Sequence, residues 1–437
     1  MKVSIIGVGY VGLITGSCFA ELKNDVTCVD VIKEKVQKIN GGETPIYEEG
    51  LEDLLKKHVG KSLRATTDTE SAVLNSEVTF IAVGTPDAPE GGIDLKYIES
   101  AAEDIGKALA KKKGYHVVVV KSTVIPGTTD SVVLPILEKN SGKKAGKDFG
   151  VAMNPEFLRE GKAIDDFMKP DRIVIGAQDE KAASVLEKLY EEFGCPKLKT
   201  DLRTAEMIKY ASNAFLATKI SYINEMANIC EKVGTDVVDV ARGIGLDHRI
   251  SPYFLQAGAG WGGSCFPKDV KALVELAKRE GYETKMLNSA LEVNKRQAEH
   301  MVEALEGKIG DVKGKKIAVL GLAFKPGTDD VREAPSLKIV KRLVEKKAGV
   351  FAYDSVAKEN FERVVGCNIA YARSMEECIK DADACLIVTD WKEFKVDPSV
   401  FVKNMKKPVV IDGRRIMDPE KAKEAGIDYF GIGFGRF

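Results

Sequence analysis

The chain has 437 residues, 44% hydrophobic and 30% charged, with a formal net charge of -1. That length exceeds one compact core and divides into two or three domains. The near-neutral balance gives no electrostatic handle for nucleic acid or an anionic membrane surface, so neither is expected as a partner.

In chain order, the first feature is ambiguous. Residues Val3 to Ala20 carry no charge and follow Lys2, which is the outline of a signal peptide or short membrane span. Glycines at 7, 9, 12 and 16 interrupt the run. They favour a strand, a turn and a helix.

The segments KVSIIGVG (2–9), NDVTCVD (24–30), SEVTFIAVGTP (76–86), YHVVVVKST (115–123) and FGVAMNPEF (149–157) read as strands, being short and rich in Val and Ile. Helix-like stretches such as AAEDIGKALAKKKG lie between them. The alternation predicts a parallel, doubly wound α/β domain over residues 1–200.

Gly7, Gly9 and Gly12 form GVGYVG between the first strand and a helix. Such glycines serve a tight turn, close backbone approach to a pyrophosphate, and helix–sheet packing. Asp30 ends the next strand, where a carboxylate binds a ribose 2′-hydroxyl and repels a 2′-phosphate, so NAD is favoured over NADP. Lys35 nearby softens that repulsion. Thr123 and the loop NPEFLREG, with Glu156 and Glu160, follow two further strands at the carboxyl edge, where open α/β sheets bind ligands.

Residues 201–300 change character. Positions 202–234 predict one long helix, with no Pro or internal Gly before Gly234 and apolar residues at 208, 211, 215, 220, 223, 227 and 230. Lys209 and Asn213 share a helix face one turn apart, beside the small residues Ala205 and Ala217. A cation and an amide aimed at one point stabilise a developing oxyanion; on spacing alone, a solvated polar face is the equal alternative.

The Gly-rich loop AGAGWGGSCFPKD follows. Of eight cysteines (18, 28, 195, 230, 265, 367, 378, 385), none forms a CxxC pair or has a His at metal-ligand spacing, which reads as reduced, mostly buried thiols in a cytoplasmic protein without a metal site. Cys265 differs. Gly262 and Gly263 precede it, Pro267 suits the first turn of a helix, and the dipole with Lys268 favours a thiolate. Asp269 stands one turn beyond, to order a water or the lysine, or to complement the dipole.

An NAD site with an activated thiol narrows the chemistry. A thiolate added to an aldehyde gives a thiohemiacetal that carries a transferable hydride, and the product is a thioester that water must hydrolyse. None of the four histidines (58, 116, 248, 300) has the setting of a general base, so that work falls to Lys, Asp or Glu. A two-electron hydroxy-acid dehydrogenase would leave Cys265 idle. A non-catalytic nucleotide sensor would need no nucleophile.

Over residues 301–437 the strand–helix alternation returns with KIAVLGLAF, GVFAYD, DACLIVTDW and PVVIDGRR. The order echoes the N-terminal domain, but the first turn reads GLAFKPG, which points to a ligand other than a dinucleotide.

The motifs GVGYVGL, VGTP, KSTVIPGT, NPEFLREG, AEMIKYASNAFLATKISYINE, DHRI, GGSCFPKD, GLAFKPGTDDVRE and DGRR, in this order, resemble the UDP-glucose/GDP-mannose dehydrogenase family over nearly the whole chain. The resemblance implies two Rossmann-like domains joined by a long central helix, and a homodimer or larger homo-oligomer. It implies two NAD-dependent oxidations of a nucleotide sugar through a thioester on Cys265. Glu156 would be the base for the hydrolytic water, with Thr123 holding it, and Lys209, Asn213 and Asp269 would act on the reacting oxygens.

For NAD it implies contacts from Gly7, Gly9, Val11, Gly12, Asp30, Lys35, Thr85, Thr123, Glu160, Lys268 and Arg332. For the UDP-sugar it implies contacts from Glu156, Phe157, Leu158, Lys209, Asn213, Tyr253, Gln256, Gly258, Gly262, Phe324, Lys325 and Arg414. Arg249 would reach the sugar nucleotide of a neighbouring subunit. DHRI, YFLQAG and GGSCFPKD are most similar to the UDP-glucose branch, in which Trp261 replaces a commoner Tyr or Phe. GDP-mannose and UDP-N-acetylhexosamines are the alternative substrates.

Overall fold

A computed structural model describes residues 1–88 and 92–436. The chain divides into two compact units, Met1–Ser212 and Asn213–Phe437.

The first unit is built on eight strands: β1 (Lys2–Ile6), β2 (Asp25–Val29), β3 (Leu63–Thr66), β4 (Val78–Ile81), β5 (Val117–Val120), β6 (Gly150–Met153), β7 (Ile173–Ala177) and β8 (Lys197–Thr200). Their order is β3-β2-β1-β4-β5-β6-β7-β8, and only the β6–β7 pairing is antiparallel. Two apolar clusters cover the two faces of this sheet. That is why β5 is an unbroken run of four fully buried valines rather than an alternating pattern. The uncharged Val3–Ala20 run is β1 plus the helix Tyr10–Glu21, part of that core.

Sequence reasoning found five of these strands and passed over β3, β7 and β8. β3 and β8 carry Arg or Lys, and β8 has no buried residue, so neither shows the apolar run of a central strand.

The second unit carries β9 (Lys316–Leu320), β10 (Gly349–Tyr353), β11 (Ala370–Tyr371), β12 (Ala384–Ile387), β13 (Val409–Asp412) and β14 (Asp428–Gly431). All pairings are parallel in the order β11-β10-β9-β12-β13-β14, the same winding as the first six strands of the other sheet. The likeness extends to one side chain. Asp30 follows β2 and Asp354 follows β10, and each accepts a backbone N–H from the loop after the first strand of its own sheet. Asp30 accepts from Val8 and Ile32 (3.1 and 3.0 Å). Asp354 accepts from Leu322, Ala323, Val356, Ala357 and the Trp391 indole, all within 2.7–3.1 Å.

The helix Leu202–Val233 starts in the first unit and ends in the second. Its 32 residues span about 48 Å at the usual rise. Its apolar residues do not share one side. Ile223, Ala227 and Cys230 join the second unit's core, whereas Phe215 is 65% exposed. Tyr222 and Ile229, each seven residues further on, are also exposed. Among the described residues no helix is long and apolar enough to cross a membrane.

Candidate active site

In the first unit, three observations fit a dinucleotide. Gly7 has φ +96°, and a Cβ on Gly12 would lie 1.8 Å from the Gly7 carbonyl, so the turn tolerates no side chain at either position. Gly9, by contrast, faces open space, and it caps the helix Tyr10–Glu21 without any side-chain hydrogen bond. The helix start, with Val11 in its first turn, is thus of the kind that suits a pyrophosphate. Asp30, its carboxylate 3.6 Å from Lys35, stands one strand over. Thr85 follows β4 and Thr123 follows β5, both half-buried at the same carboxyl edge.

That edge also holds a buried charge cluster. Glu156 comes off β6, and its Oε1 lies 2.9 Å from Lys209 Nζ, the two side chains being 6% and 4% exposed. Its Oε2 accepts the Leu158 N–H at 2.7 Å, and Phe157 lies beneath the ammonium of Lys209 and the guanidinium of Arg172. Burial pushes the Glu156 carboxyl up, but the charge and hydrogen bond of Lys209, the Leu158 N–H and Lys121 outweigh it and hold the group below its ordinary value.

Lys121 is the residue sequence reasoning missed. It ends the β5 valine run, is 4% exposed, and donates to Asn154 Oδ1 at 2.8 Å. A lysine closing a fully apolar strand at the ligand edge was the available signal. Burial and the cation of Lys209 lower its pKa to about 8, against the pull of Glu156. The folded chain thus releases this proton near 8, and the unfolded chain near 10.5. Between those values the unfolded state binds more protons, so this residue makes the fold more stable as pH rises through the window. Lys121→Met is expected to remove that rise, which urea unfolding at both ends of the window measures.

In the second unit, Cys265 caps the helix Phe266–Arg279, with Pro267 in the first turn and no side-chain cap. It is exposed, and its Sγ lies 3.4 Å from Ser264 Oγ. Asp269 is 1% exposed, donates its N–H to the Cys265 carbonyl (2.8 Å), and binds Asn213 Nδ2 and Lys268 Nζ, each at 2.6 Å. The charge of Lys268 is therefore shared with Asp269 rather than reserved for the thiol. Lys209 and Asn213 are 3% and 6% exposed, which rules out a solvated polar face. Each is held by its own carboxylate.

The two glycines before Cys265 have a reason other than room for a ligand. A Cβ on Gly262 would sit 2.4 Å from the Glu333 carbonyl, and one on Gly263 would strike the Phe324 ring at 2.8 Å. Protein packing requires them. The loop is further fixed by Asn294, which accepts from Trp261 N–H (2.7 Å) and donates to its carbonyl (2.9 Å). The larger indole of Trp261 is accommodated by a bond from Nε1 to Ser221 (2.9 Å).

Arg414 donates to the Val388 carbonyl (2.6 Å) and reaches the Gly260 and Phe324 carbonyls, beside Gly258, where any side chain would collide with it. Lys325 lies over the Phe324 ring. Arg332 pairs with Asp330 and accepts the Gly263 N–H at its carbonyl. Arg249, Tyr253 and Gln256 are exposed, Arg249 held only to Asp247 two residues away among the described residues.

A glycine turn without a side-chain cap, a carboxylate at the end of the next strand, and an exposed thiol at a helix start are features that suit a nucleotide-linked dehydrogenase. The chain belongs to the UDP-glucose/GDP-mannose dehydrogenase family: its NAD binding domain matches residues 1–194, its central domain 203–296 and its UDP binding domain 318–419. NAD is accordingly its cofactor. The chain is 49% identical to the UDP-glucose 6-dehydrogenase TuaD of Bacillus subtilis, over 99% of this chain and 93% of that protein. It is 47% identical to the UDP-glucose 6-dehydrogenase AglM of Haloferax volcanii, over 98% and 99%. The structure of a UDP-glucose dehydrogenase from Pyrobaculum islandicum superposes with a TM-score of 0.92 at 41% identity, covering 99% and 97% of the two chains.

Proposed function

We propose that this enzyme converts UDP-glucose to UDP-glucuronate by two successive oxidations at C6, through a thioester on Cys265. The observation that carries the reading is the exposed Cys265 thiol at an uncapped helix start in an NAD-dependent chain. When bound, NAD would supply the hydride acceptor for each oxidation. Lys209 and Asn213 stabilise the oxygen as the alcohol gives up its proton to solvent water, with Asp269 holding the Asn213 amide. The thiolate then adds to the aldehyde carbon, and loss of the second hydride from the resulting alkoxide to the cofactor leaves the thioester. Glu156 takes a proton from water, with Thr123 holding that water; hydrolysis releases the acid and restores the thiol. The binding roles given above for NAD and the UDP-sugar complete the proposal.

The test is stoichiometry. One UDP-glucose is expected to yield two NADH and one acid; one NADH with free aldehyde would sink the thioester route. Initial rates across GDP-mannose and UDP-N-acetylhexosamines check the sugar.

We further propose that the enzyme is cytoplasmic and a homodimer or larger homo-oligomer. Phe215, Tyr222 and Ile229 form an exposed apolar stripe at seven-residue spacing on the long helix, the pattern of a helix seam, and exposed Arg249 suits reach toward a neighbour. Replacing all three by glutamate is expected to yield monomers in sedimentation velocity.

A further inference from the structure

Glu48 lies outside the motifs quoted above and has no role in the reaction above, yet it is 6% exposed and accepts hydrogen bonds from distant parts of the chain. Its Oε2 accepts the Tyr10 hydroxyl and the Gly161 N–H (2.6 Å), and its Oε1 accepts the Ala163 N–H (2.7 Å). The Gly161 N–H also lies 3.2 Å from the Tyr10 oxygen. Burial and the neighbouring Glu48 raise the Tyr10 phenol far above its ordinary range, so it stays a donor.

The partners are informative. Tyr10 opens the helix behind the dinucleotide turn, next to Gly9. Gly161, at φ +80°, ends the loop that starts at Glu156. Ala163 opens a helix whose own cap residue, Lys162, supplies no side-chain bond, so Glu48 caps it from outside. The loop is pinned at its start by the Glu156–Leu158 bond and at its end by Glu48. Arg159 is also held, but by Asp166 of that same short helix, which does not tie the loop to the dinucleotide turn.

We infer that Tyr10 and Glu48 form a latch between the dinucleotide turn and the Glu156 loop, making Glu48 a positioning residue for thioester hydrolysis. The inference rests on the roles proposed for Glu156 and Cys265. A base displaced by a fraction of an ångström still binds charge but no longer meets its water. The latch therefore acts on deacylation more than on hydride transfer, and on NAD affinity through Tyr10.

Full-length Tyr10→Phe, Glu48→Gln and Glu48→Ala enzymes test this, with Glu156→Gln alongside. Rapid mixing with UDP-glucose follows NADH, and intact-mass measurement follows the adduct on Cys265. Glu48→Gln is expected to keep the burst of two NADH per site, lose about tenfold in steady-state rate, accumulate the adduct, and raise the NAD KM several-fold. Tyr10→Phe keeps its ring in the core and is expected to show the same pattern more weakly, so it carries the test if Glu48→Ala fails to fold. Glu48→Gln and Tyr10→Phe both turning over normally without adduct, while Glu156→Gln accumulates it, would overturn the latch alone. No adduct in Glu156→Gln would overturn the role of Glu156, and the latch's kinetic claim with it. A merely structural Glu48 would lower the melting temperature and leave burst and steady state in their wild-type ratio.

Discussion

Replacing Cys265 by alanine is expected to cut acid formation by about four orders of magnitude or more, on the order of 5 kcal/mol of barrier, while NAD binding persists. The effect is large because the thiol is proposed to make the second hydride transferable, and its neighbours are poor substitutes: Ser264 offers a poorer nucleophile and Asp269 is occupied by Asn213 and Lys268. NAD affinity is expected to survive because Gly7, Gly9, Gly12 and Asp30, proposed to hold it, lie in the other compact unit, and the substitution leaves Lys268 and Arg332 in place. NADH production with UDP-glucose and calorimetric titration with NAD check the two halves. Wild-type turnover in the variant would remove Cys265 from its role.

Glu156→Gln is expected to stop the cycle one step later. The burst of two NADH persists, the thioester remains on Cys265, and steady-state rate falls by roughly 10²–10⁴, the usual loss for a general base. The amide also leaves Lys209 and Lys121 buried without their counter-charge, so the variant is expected to unfold at lower temperature, by an amount reflecting about 3–5 kcal/mol for a broken buried pair. Intact mass separates the kinetic loss from the structural one. The pH dependence has a definite sign. The folded Glu156 pKa lies below its ordinary 4.5, so its contribution to stability is complete above that value and is lost as pH falls through the folded value. Across neutral pH the carboxylate is in its basic form.

How much of this was legible in the sequence varies with the kind of signal. The dinucleotide turn was, because glycine spacing and a strand-end Asp are local, and the thiol was, because a proline and a charged pair mark a helix start. The parallel sheets were legible where strands are buried on both faces and not where β8 runs as KLKT at the edge. The helix at 202–233 was legible as a helix, but its period did not say that Phe215 faces outward while Asn213 and Lys209 are buried. Glu48 was not legible at all, and for Lys121 only its place at the end of an apolar strand was, not its partners. Their meaning lies in partners 33 to 115 residues away, which no local pattern encodes. The packing constraint on the glycines at 262 and 263 was not legible, since it comes from Glu333 and Phe324, about 60 to 70 residues away in the chain.

The matched aspartates, Asp30 and Asp354, carry a consequence for how two copies of one winding came to do different work. An ionised carboxylate has about four acceptor positions. Asp30 uses two on backbone N–H groups, with Lys35 at longer range, and keeps capacity for a ribose. Five donors already crowd Asp354, one of them the Trp391 indole. In the second unit the same side chain is a rivet: its acceptor positions are spent on holding the loops around it, with none left for a ligand hydroxyl. The ribose contact proposed for Asp30 draws on the capacity that its counterpart has given up to the fold.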